Sequence, residues 1–289
     1  MRVTIREAIR DDTLRLEAFL KRRNVTSMFL RSNLRDYGIG NTKDNYAMRY
    51  FLREKGGAIQ GIGAIANAGT LMMQATEGLA DISAFMREVL PNDTKYPVIL
   101  GASDQVGIMR EAFGLTDAPT TMDDVEPLFS LDLENLIVPQ THGAVLRKTK
   151  MSDLPLLGDW SYAYDLETGL RKPGKDVRDG SEQEAASRIK KNRSRLLFHN
   201  GKPVAQTGFN AVLPDSVQIG GVYTPPEFRR NGYGRLAVAL HLAEVREQGV
   251  EHAILFSANE YASRAYRGIG FEQIGHYTLT IFDTSETKD

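Results

Sequence analysis

The stretch Val222–Leu240, VYTPPEFRRNGYGRLAVAL, leads from an apolar run through prolines, arginines and glycines into a helical pattern. Pro225 and Pro226 have no backbone N–H and therefore end strand pairing. Gly232 and Gly234 allow a positive φ or a close approach of a ligand to the main chain. Beyond Gly234 the apolar residues recur at i, i+3, i+4 and i+7, which is typical of a helix packed on a sheet. The predicted order is strand, glycine loop and helix.

The loop of this stretch has the chemistry of an anion-binding site. A helix N-terminus presents unpaired backbone N–H groups and the positive end of the helix dipole. Arg229 and Arg230 add guanidinium groups at the same place. The spacing is Arg-x-x-Gly-x-Gly, and no Gly-Lys-Ser or Gly-Lys-Thr follows, so it is not a Walker-type loop. Taken alone, a basic surface turn that begins a helix explains these residues equally well.

A second segment, Phe256–Phe271 (FSANEYASRAYRGIGF), follows one predicted strand later. Asn259 stands where its side chain can cap a helix, and Asn259, Ala262 and Tyr266 share one helix face. A neutral phenol can protonate a departing thiolate, because tyrosine titrates above a thiol. The alternative is that Tyr266 packs its ring into the core with its hydroxyl at the edge.

Together the two segments resemble the GNAT superfamily of N-acetyltransferases over about residues 143–283. The resemblance implies acetyl-CoA as acyl donor, with pyrophosphate on the loop amides and pantetheine paired like an extra strand. It implies that Tyr266 protonates the coenzyme A thiolate while an amine attacks directly. The residues that it assigns to the cofactor are Gly221, Val222, Tyr223, Thr224, Arg229, Arg230, Asn231, Gly232, Tyr233, Gly234, Asn259 and Ala262.

The sequence departs from the family in one respect that concerns proton removal from the amine. No carboxylate stands between Asp215 and Glu227, where some members carry a base on the strand before the loop. Water, Asp165 or Glu167 could serve instead, and no base is assigned. The acceptor is a small-molecule or protein amine of unknown identity. The alternative function is a non-catalytic acyl-CoA-binding or regulatory module.

The two halves of the chain follow one plan. IREAIRDD (5–12) and LRKTKMSD (146–153) both place Arg second and Asp last. The predicted fold class is α/β (α+β), with two tandem GNAT-like domains, each a mixed, largely antiparallel sheet flanked by helices. An acidic stretch, TTMDDVEP, and LIVPQTHG place the boundary between domains 1–139 and 140–289. The first half lacks the glycine loop and has Arg110 opposite Tyr266, so we interpret it as a degenerate copy.

Other patterns indicate weaker alternatives. GIGAIA (61–66) fits a dinucleotide fingerprint, but a turn follows instead of a helix, so small residues in a hairpin explain it better. The basic run RIKKNRSR (188–195) could contact RNA or the 3′-phosphate of the cofactor, or form a solvated helix face. Trp160, Tyr162 and Tyr164 either line an acceptor pocket or fill the core.

Composition limits the classes of function. Lys and Arg (36) nearly balance Asp and Glu (37), so no nucleic-acid partner is expected. The five histidines show no metal-ligand spacing, and we predict no metal site. The chain has no cysteine and no long apolar run, from which we expect a cytoplasmic protein without a membrane partner. The expected oligomeric state is a monomer or homodimer.

Overall fold

The computed structural model describes residues 2–169 and 173–283. Its contacts divide the chain into two compact units. The N-terminal unit runs up to Glu126 and includes the segment from Gly275 onward, and the C-terminal unit is Pro127–Ile274. The sequence analysis placed a single boundary between residues 139 and 140, whereas these units divide inside two strands.

The N-terminal unit is a mixed sheet with helices. Its elements in chain order are β1 Val3–Glu7, α1 Thr13–Lys21, α2 Asn24–Tyr37, β2 Met48–Lys55, β3 Ala58–Ala66, β4 Leu71–Ala75, α3 Leu79–Val89, β5 Val98–Ala102, α4 Ser103–Ala112 and the first part of β6 Thr120–Asp132. The later part of the last strand of the chain, β12 Glu272–Phe282, pairs antiparallel with β5. Strands β1 to β5 stand in chain order, antiparallel except for the parallel pair β4 and β5.

The C-terminal unit repeats this order. Its elements after β6 are β7 Val145–Lys148, α5 Leu154–Glu167, α6 Lys175–Lys190, β8 Ser194–His199, β9 Lys202–Val212, β10 Ser216–Tyr223, α7 Tyr233–Arg246, β11 His252–Phe256 and α8 Glu260–Arg267. The sheet order is β6, β11, β10, β9, β8, β7, antiparallel except for the parallel pair β10 and β11. Among the described residues no helix is both long and apolar enough to cross a membrane.

The parallel pair occupies the same place in both units. In the N-terminal unit α3 connects the two paired strands, β4 and β5, and in the C-terminal unit α7 connects β10 and β11. The prediction of two domains with one plan, each a mixed and largely antiparallel sheet with helices, is therefore confirmed. The repeated order reflects equivalent hydrophobic patterns in the two halves, because sheet and helix periodicity decide which residues are buried.

The acidic stretch that marked the predicted boundary is a strand. TTMDDVEP lies in β6, whose first residues are mostly exposed, whereas Leu128, Phe129 and Leu131 are buried farther along. Its exposed half carries Asp123 and Asp124, so the strand has no apolar alternation to signal it there. The predicted last strand, assigned to the second domain, is likewise paired with the first unit. Pairing partners far apart in sequence explain both differences.

GIGAIA forms part of β3 in a hairpin with β4, as the sequence analysis favoured. A Cβ at Gly63 would stand 2.8 Å from Ile82 Cγ2 on α3 and would overlap the sulfur of Met86. The small residues therefore let α3 pack directly on the sheet, and no helix begins in this segment.

One ion pair repeats in both units. Arg6 donates to the two carboxylate oxygens of Asp12 at 2.6 and 2.8 Å, and Arg147 does the same to Asp153 at 2.8 Å for both bonds. Each aspartate also accepts from a backbone N–H, that of Ile9 or of Lys150. The Arg and Asp shared by IREAIRDD and LRKTKMSD are thus one structural motif that closes the turn between the first strand and the first helix.

We predict that Asp12→Asn lowers the free energy of unfolding at pH 7 by about 2 kcal/mol. The hydrogen bond from Arg6 lowers the pKa of Asp12 from 3.8 to about 2. Because the folded pKa lies below the unfolded one, this stabilisation is present above about pH 4 and is lost as the pH falls toward 2. Urea unfolding of both proteins between pH 2 and 7 measures the difference.

The exposed neighbour Asp11 supplies the control, and Asp11→Asn should behave like the wild type. A difference between wild type and Asp12→Asn that stayed constant from pH 7 to pH 2 would contradict this role of the carboxylate.

Candidate active site

Strands β10 and β11 run side by side for only part of their length. They pair in parallel where Ser216–Gln218 faces His252–Ile254. β11 stays paired with β6 as far as Phe256, whereas Ile219–Tyr223 keeps only β9 as its neighbour. In the described part of the chain, that length of β10 therefore presents one edge without a strand partner. Such an edge can hydrogen-bond a ligand that lies like an added strand.

Gln218 marks the point where the strands part. It is buried, and its side-chain Nε2 donates to the backbone oxygen of Ile219 at 2.8 Å. Its Oε1 is also buried and has no partner among the residues that the structure describes. A buried polar atom in a native fold is normally hydrogen-bonded. This oxygen can therefore accept a hydrogen bond from a water or from a ligand N–H.

A bulge follows on β10. The pairing with β9 shifts register between Gly220 and Tyr223, and Gly221 adopts φ 62°. The carbonyl of Gly221 accepts from Gln206 Nε2 at 3.1 Å. The positive φ favours glycine at this position, and a Cβ at Gly221 would displace the guanidinium of Arg188.

The helices cover opposite faces of this sheet. The buried side chains of Leu197 and Ala205 pack with α7, whereas those of Leu196 and Tyr223 pack with α5 and α6. Leu196 and Leu197 are successive residues of β8, and successive side chains of a strand point to opposite faces. The bulge therefore has α7 on one face of the sheet and α5 and α6 on the other. Arg188, a residue of α6, lies on the face of α5 and α6.

The predicted anion loop stands at the end of β10. Arg230 and Gly232 both adopt left-handed conformations, with φ of 64° and 76°. The first helical bond of α7 runs from Leu236 N to Gly232 O, and no side chain caps the helix. Within the described residues, the backbone N–H groups of Tyr233, Gly234 and Arg235 have no acceptor. Left-handed turns followed by such amides form an anion-binding concavity.

The side chains of the loop divide into two roles. Arg229 is held within the protein, because its Nε donates to Thr224 O at 2.9 Å and its Nη2 pairs with Glu167 at 2.6 Å. Asn231 Nδ2 donates to the Phe228 and Arg229 carbonyls and closes the loop. Arg230 is exposed, and its guanidinium has no partner in the described ranges.

Tyr233 is also tied to its own fold. Its hydroxyl lies 2.8 Å from Nδ1 of His199 on β8. The predicted cofactor contacts of Arg229, Asn231 and Tyr233 stay predictions. Their side chains support the loop, which leaves backbone N–H groups and Arg230 as the groups best placed for an anion.

The loop and the strand end are packed together at Gly234. A Cβ there would stand 3.1 Å from Thr224 Oγ1 and 3.8 Å from Val222 Cγ1. The first turn of α7 therefore presses against the last residues of β10. The structure brings together the two segments that sequence reasoning assigned to pyrophosphate and pantetheine.

Helix α8 begins as predicted. Asn259 Oδ1 accepts from Ala262 N at 2.9 Å, so this side chain caps the helix. Ala262 is partly buried on the first turn. Tyr266 is partly buried against the core cluster that Val222 also contacts, and its ring meets Phe271 edge-on at 6.0 Å. The ring of Tyr266 therefore packs on the core, and its proposed acid role stays a prediction.

Sequence reasoning missed Arg235. Its Nη2 lies 3.7 Å from the position that a Cβ would take on Gly232, and its Nη1 lies 3.2 Å from the equivalent point on Gly268. The guanidinium thus spans the loop and the end of α8. The signal was present, because Arg235 directly follows Gly234 in the first turn of the predicted helix.

Of the two carboxylates considered as bases, Glu167 lies at the strand end. It pairs with Arg229 and lies 3.4 Å from the hydroxyl of Tyr223. Burial and, next, the Glu167 carboxylate raise the pKa of the Tyr223 phenol. Asp165 is buried and accepts from Ser181 Oγ at 2.6 Å between α5 and α6. Of these two carboxylates, the structure therefore places only Glu167 at the strand end, a distinction that the sequence did not give.

The aromatic residues and the basic run of the sequence analysis have separate places. Trp160 is buried in the core, with its ring 6.0 Å from that of Tyr223, and Tyr162 lies under Arg178. In the basic run, Arg195 is buried and forms two hydrogen bonds with Glu244, whereas Arg188 reaches the bulge. The run is therefore not one continuous basic surface.

The N-terminal unit fills the equivalent places with its own side chains. Gln105 Oε1 accepts from the backbone N–H of Ala75 at the end of β4. Arg53 occupies the space beside Gly78 at the start of α3 and pairs with Asp81 in its first turn. This arrangement agrees with the interpretation of a degenerate copy.

Comparisons with known proteins identify a family for the C-terminal part of the chain. Residues 160–271 match the family described as Acetyltransferase (GNAT) family, and this segment lies wholly inside the C-terminal unit. A UPF0039 protein of Schizosaccharomyces pombe is 37% identical over 76 residues, which are 26% of this chain and 50% of that protein. The chain thus spans about half the length of this curated relative.

Solved structures share the fold over nearly the whole chain. A GNAT-family acetyltransferase from Colwellia psychrerythraea has a TM-score of 0.57 at 11% identity and covers 98% of this chain and 100% of its own. A tandem GNAT protein from the clavulanic acid biosynthesis pathway has a TM-score of 0.53 at 15% identity, with coverage of 96% and 98%. Residues 160–271 therefore form a domain of the GNAT acetyltransferase family, whose fold supports acyl transfer, within a chain that has the tandem GNAT fold.

Proposed function

We propose that the C-terminal unit binds acetyl-CoA and transfers its acetyl group to a primary amine by direct attack. The observation that carries the proposal is the parting of β10 from β11 beside an uncapped helix N-terminus. An open strand edge suits the amide-bearing pantetheine arm, and the free N–H groups suit the pyrophosphate.

The residues present fit this donor. Gly221–Thr224 offers the strand edge, and Gln218 Oε1 is an unpartnered buried acceptor for an N–H donor among the described residues. The amides of Tyr233 and Gly234, with Arg230, offer positive charge where diphosphate would lie. The ligand would therefore run from the helix N-terminus along β10 toward the bulge.

The chemistry needs positioning more than a covalent enzyme intermediate. The amine nitrogen forms a bond to the acetyl carbon, the carbon–sulfur bond breaks, and the thiolate takes a proton from the Tyr266 hydroxyl. The amine loses a proton to water or to Glu167, which stands beside the end of β10. Acyl-CoA binding without any acetylated amine would instead support a regulatory module, and thiol release with a panel of amines distinguishes the two.

We predict that Arg230→Glu weakens acetyl-CoA binding about 10-fold or more, because it replaces an unpaired cation with an anion beside the diphosphate. The loss should shrink as salt is raised. Calorimetric titration with acetyl-CoA measures it. Lys202→Glu changes the charge equally at the exposed first residue of β9 and should leave the affinity unchanged. Equal affinity in both variants would refute the loop as the diphosphate site.

We predict that Tyr266→Phe lowers kcat about 100-fold and leaves the affinity for acetyl-CoA nearly unchanged, because it removes only the proton source. Acetyl-CoA-dependent thiol release measures kcat. Tyr261→Phe on the same helix removes a hydroxyl from an exposed ring, 59% accessible, and should retain full activity. Full turnover by Tyr266→Phe would exclude it as the acid.

A further inference from the structure

Arg188 has guanidinium N–H groups at the bulge of β10 that form no hydrogen bond within the described residues. Its Nη2 pairs with Glu184 at 2.5 Å and with Asn210 Oδ1 at 2.9 Å. Its Nε and Nη1 have no acceptor among the described residues, and Nη1 is the atom that lies against Gly221. A guanidinium carries five N–H donors in a planar fork. The unused part of this fork faces the strand where β10 has left β11.

Two glycines clear the space for this arrangement. A side chain at Gly221 would overlap Arg188, and one at Gly220 would overlap Asn210. Ala185 and Ile189 of α6 are buried against the core, and they hold the turn that carries Arg188. The guanidinium is therefore fixed beside the backbone, and its side chain is only 18% exposed.

The partner of Arg188 is exchangeable. Glu184 lies on the outer side of α6, with a side chain that is 44% exposed. An ion pair one helical turn apart contributes little to stability when one of its partners is exposed to solvent. A ligand carboxylate could bind the free N–H groups of Arg188 through two hydrogen bonds. It would share the positive charge with Glu184, and weakening the Glu184 pair would cost little stability.

We propose that the acceptor amine carries a carboxylate and that Arg188 binds it. The inference rests on the proposed acetyl transfer, since only that reaction has an acceptor amine. Arg188 lies on the α5 and α6 face of the sheet, opposite the face of α7. The donor reaches the bulge from the loop before α7, and the acceptor reaches it from the Arg188 side. The carboxylate belongs either to a free amino acid or to an acidic residue at a protein N-terminus.

Matched amines test this inference by binding, independently of turnover. Glycine with methylamine, phenylalanine with phenethylamine, and lysine with cadaverine differ within each pair by one carboxylate. Aspartic acid α-amide carries its only carboxylate on the side chain, as an acidic N-terminus does. Calorimetric titration of the full chain, with coenzyme A present, is expected to show at least 10-fold tighter binding of the carboxylated member.

Three variants assign the effect. Arg188→Met should weaken the carboxylated amines at least 10-fold and change their decarboxylated partners less than twofold. Glu184→Gln should tighten the carboxylated amines about threefold, because it removes the competing anion. Arg178→Met makes the same substitution on the same helix, at an arginine paired with Asp159, and should change neither set.

Equal affinity within each pair, an equal loss of both members in Arg188→Met, or no binding of any amine would overturn the assignment. Tight binding of aspartic acid α-amide together with weak binding of the free amino acids would assign the carboxylate to a protein N-terminus. Thiol release judges the proposed function separately, since acetylation without a preference for carboxylates would refute only the role of Arg188.

Discussion

Strand β10 does not pair with β11 beyond Gln218, and the candidate site of the C-terminal unit depends on that parting. Unpaired backbone groups away from water are costly, so each needs another partner. The Gln218 amide takes one carbonyl and Gln206 takes another at the bulge. What remains is an edge that a ligand can complete, beside the uncapped start of α7.

The two faces of the sheet bring different charged groups to this edge. On the side of α7, main-chain N–H groups and Arg230 favour an anion. On the side of α5 and α6, Arg188 lies at the bulge, and Glu167 and Arg229 lie at the strand end. The proposed donor and the proposed acceptor would therefore approach the same few residues of β10 from different faces of the sheet.

The N-terminal unit follows the same plan but has side chains of its own at the equivalent places. Its Arg6 and Asp12 pair matches that of Arg147 and Asp153, so the turn that starts each unit is the same. Yet Gln105 takes the backbone N–H of Ala75, and Arg53 covers the start of α3. These side chains of the N-terminal unit thus occupy places that side chains fill less closely in the C-terminal unit.

The sequence alone determined the order of elements, the glycine loop, the cap at Asn259 and the duplication, because periodicity and turn chemistry act within a few residues. It did not reveal β6, whose exposed charges hide the strand, or choose between Asp165 and Glu167. Only the tertiary structure placed Arg188 at the bulge and opened β10. Those features depend on register and on packing between residues distant in the chain, which no local pattern encodes.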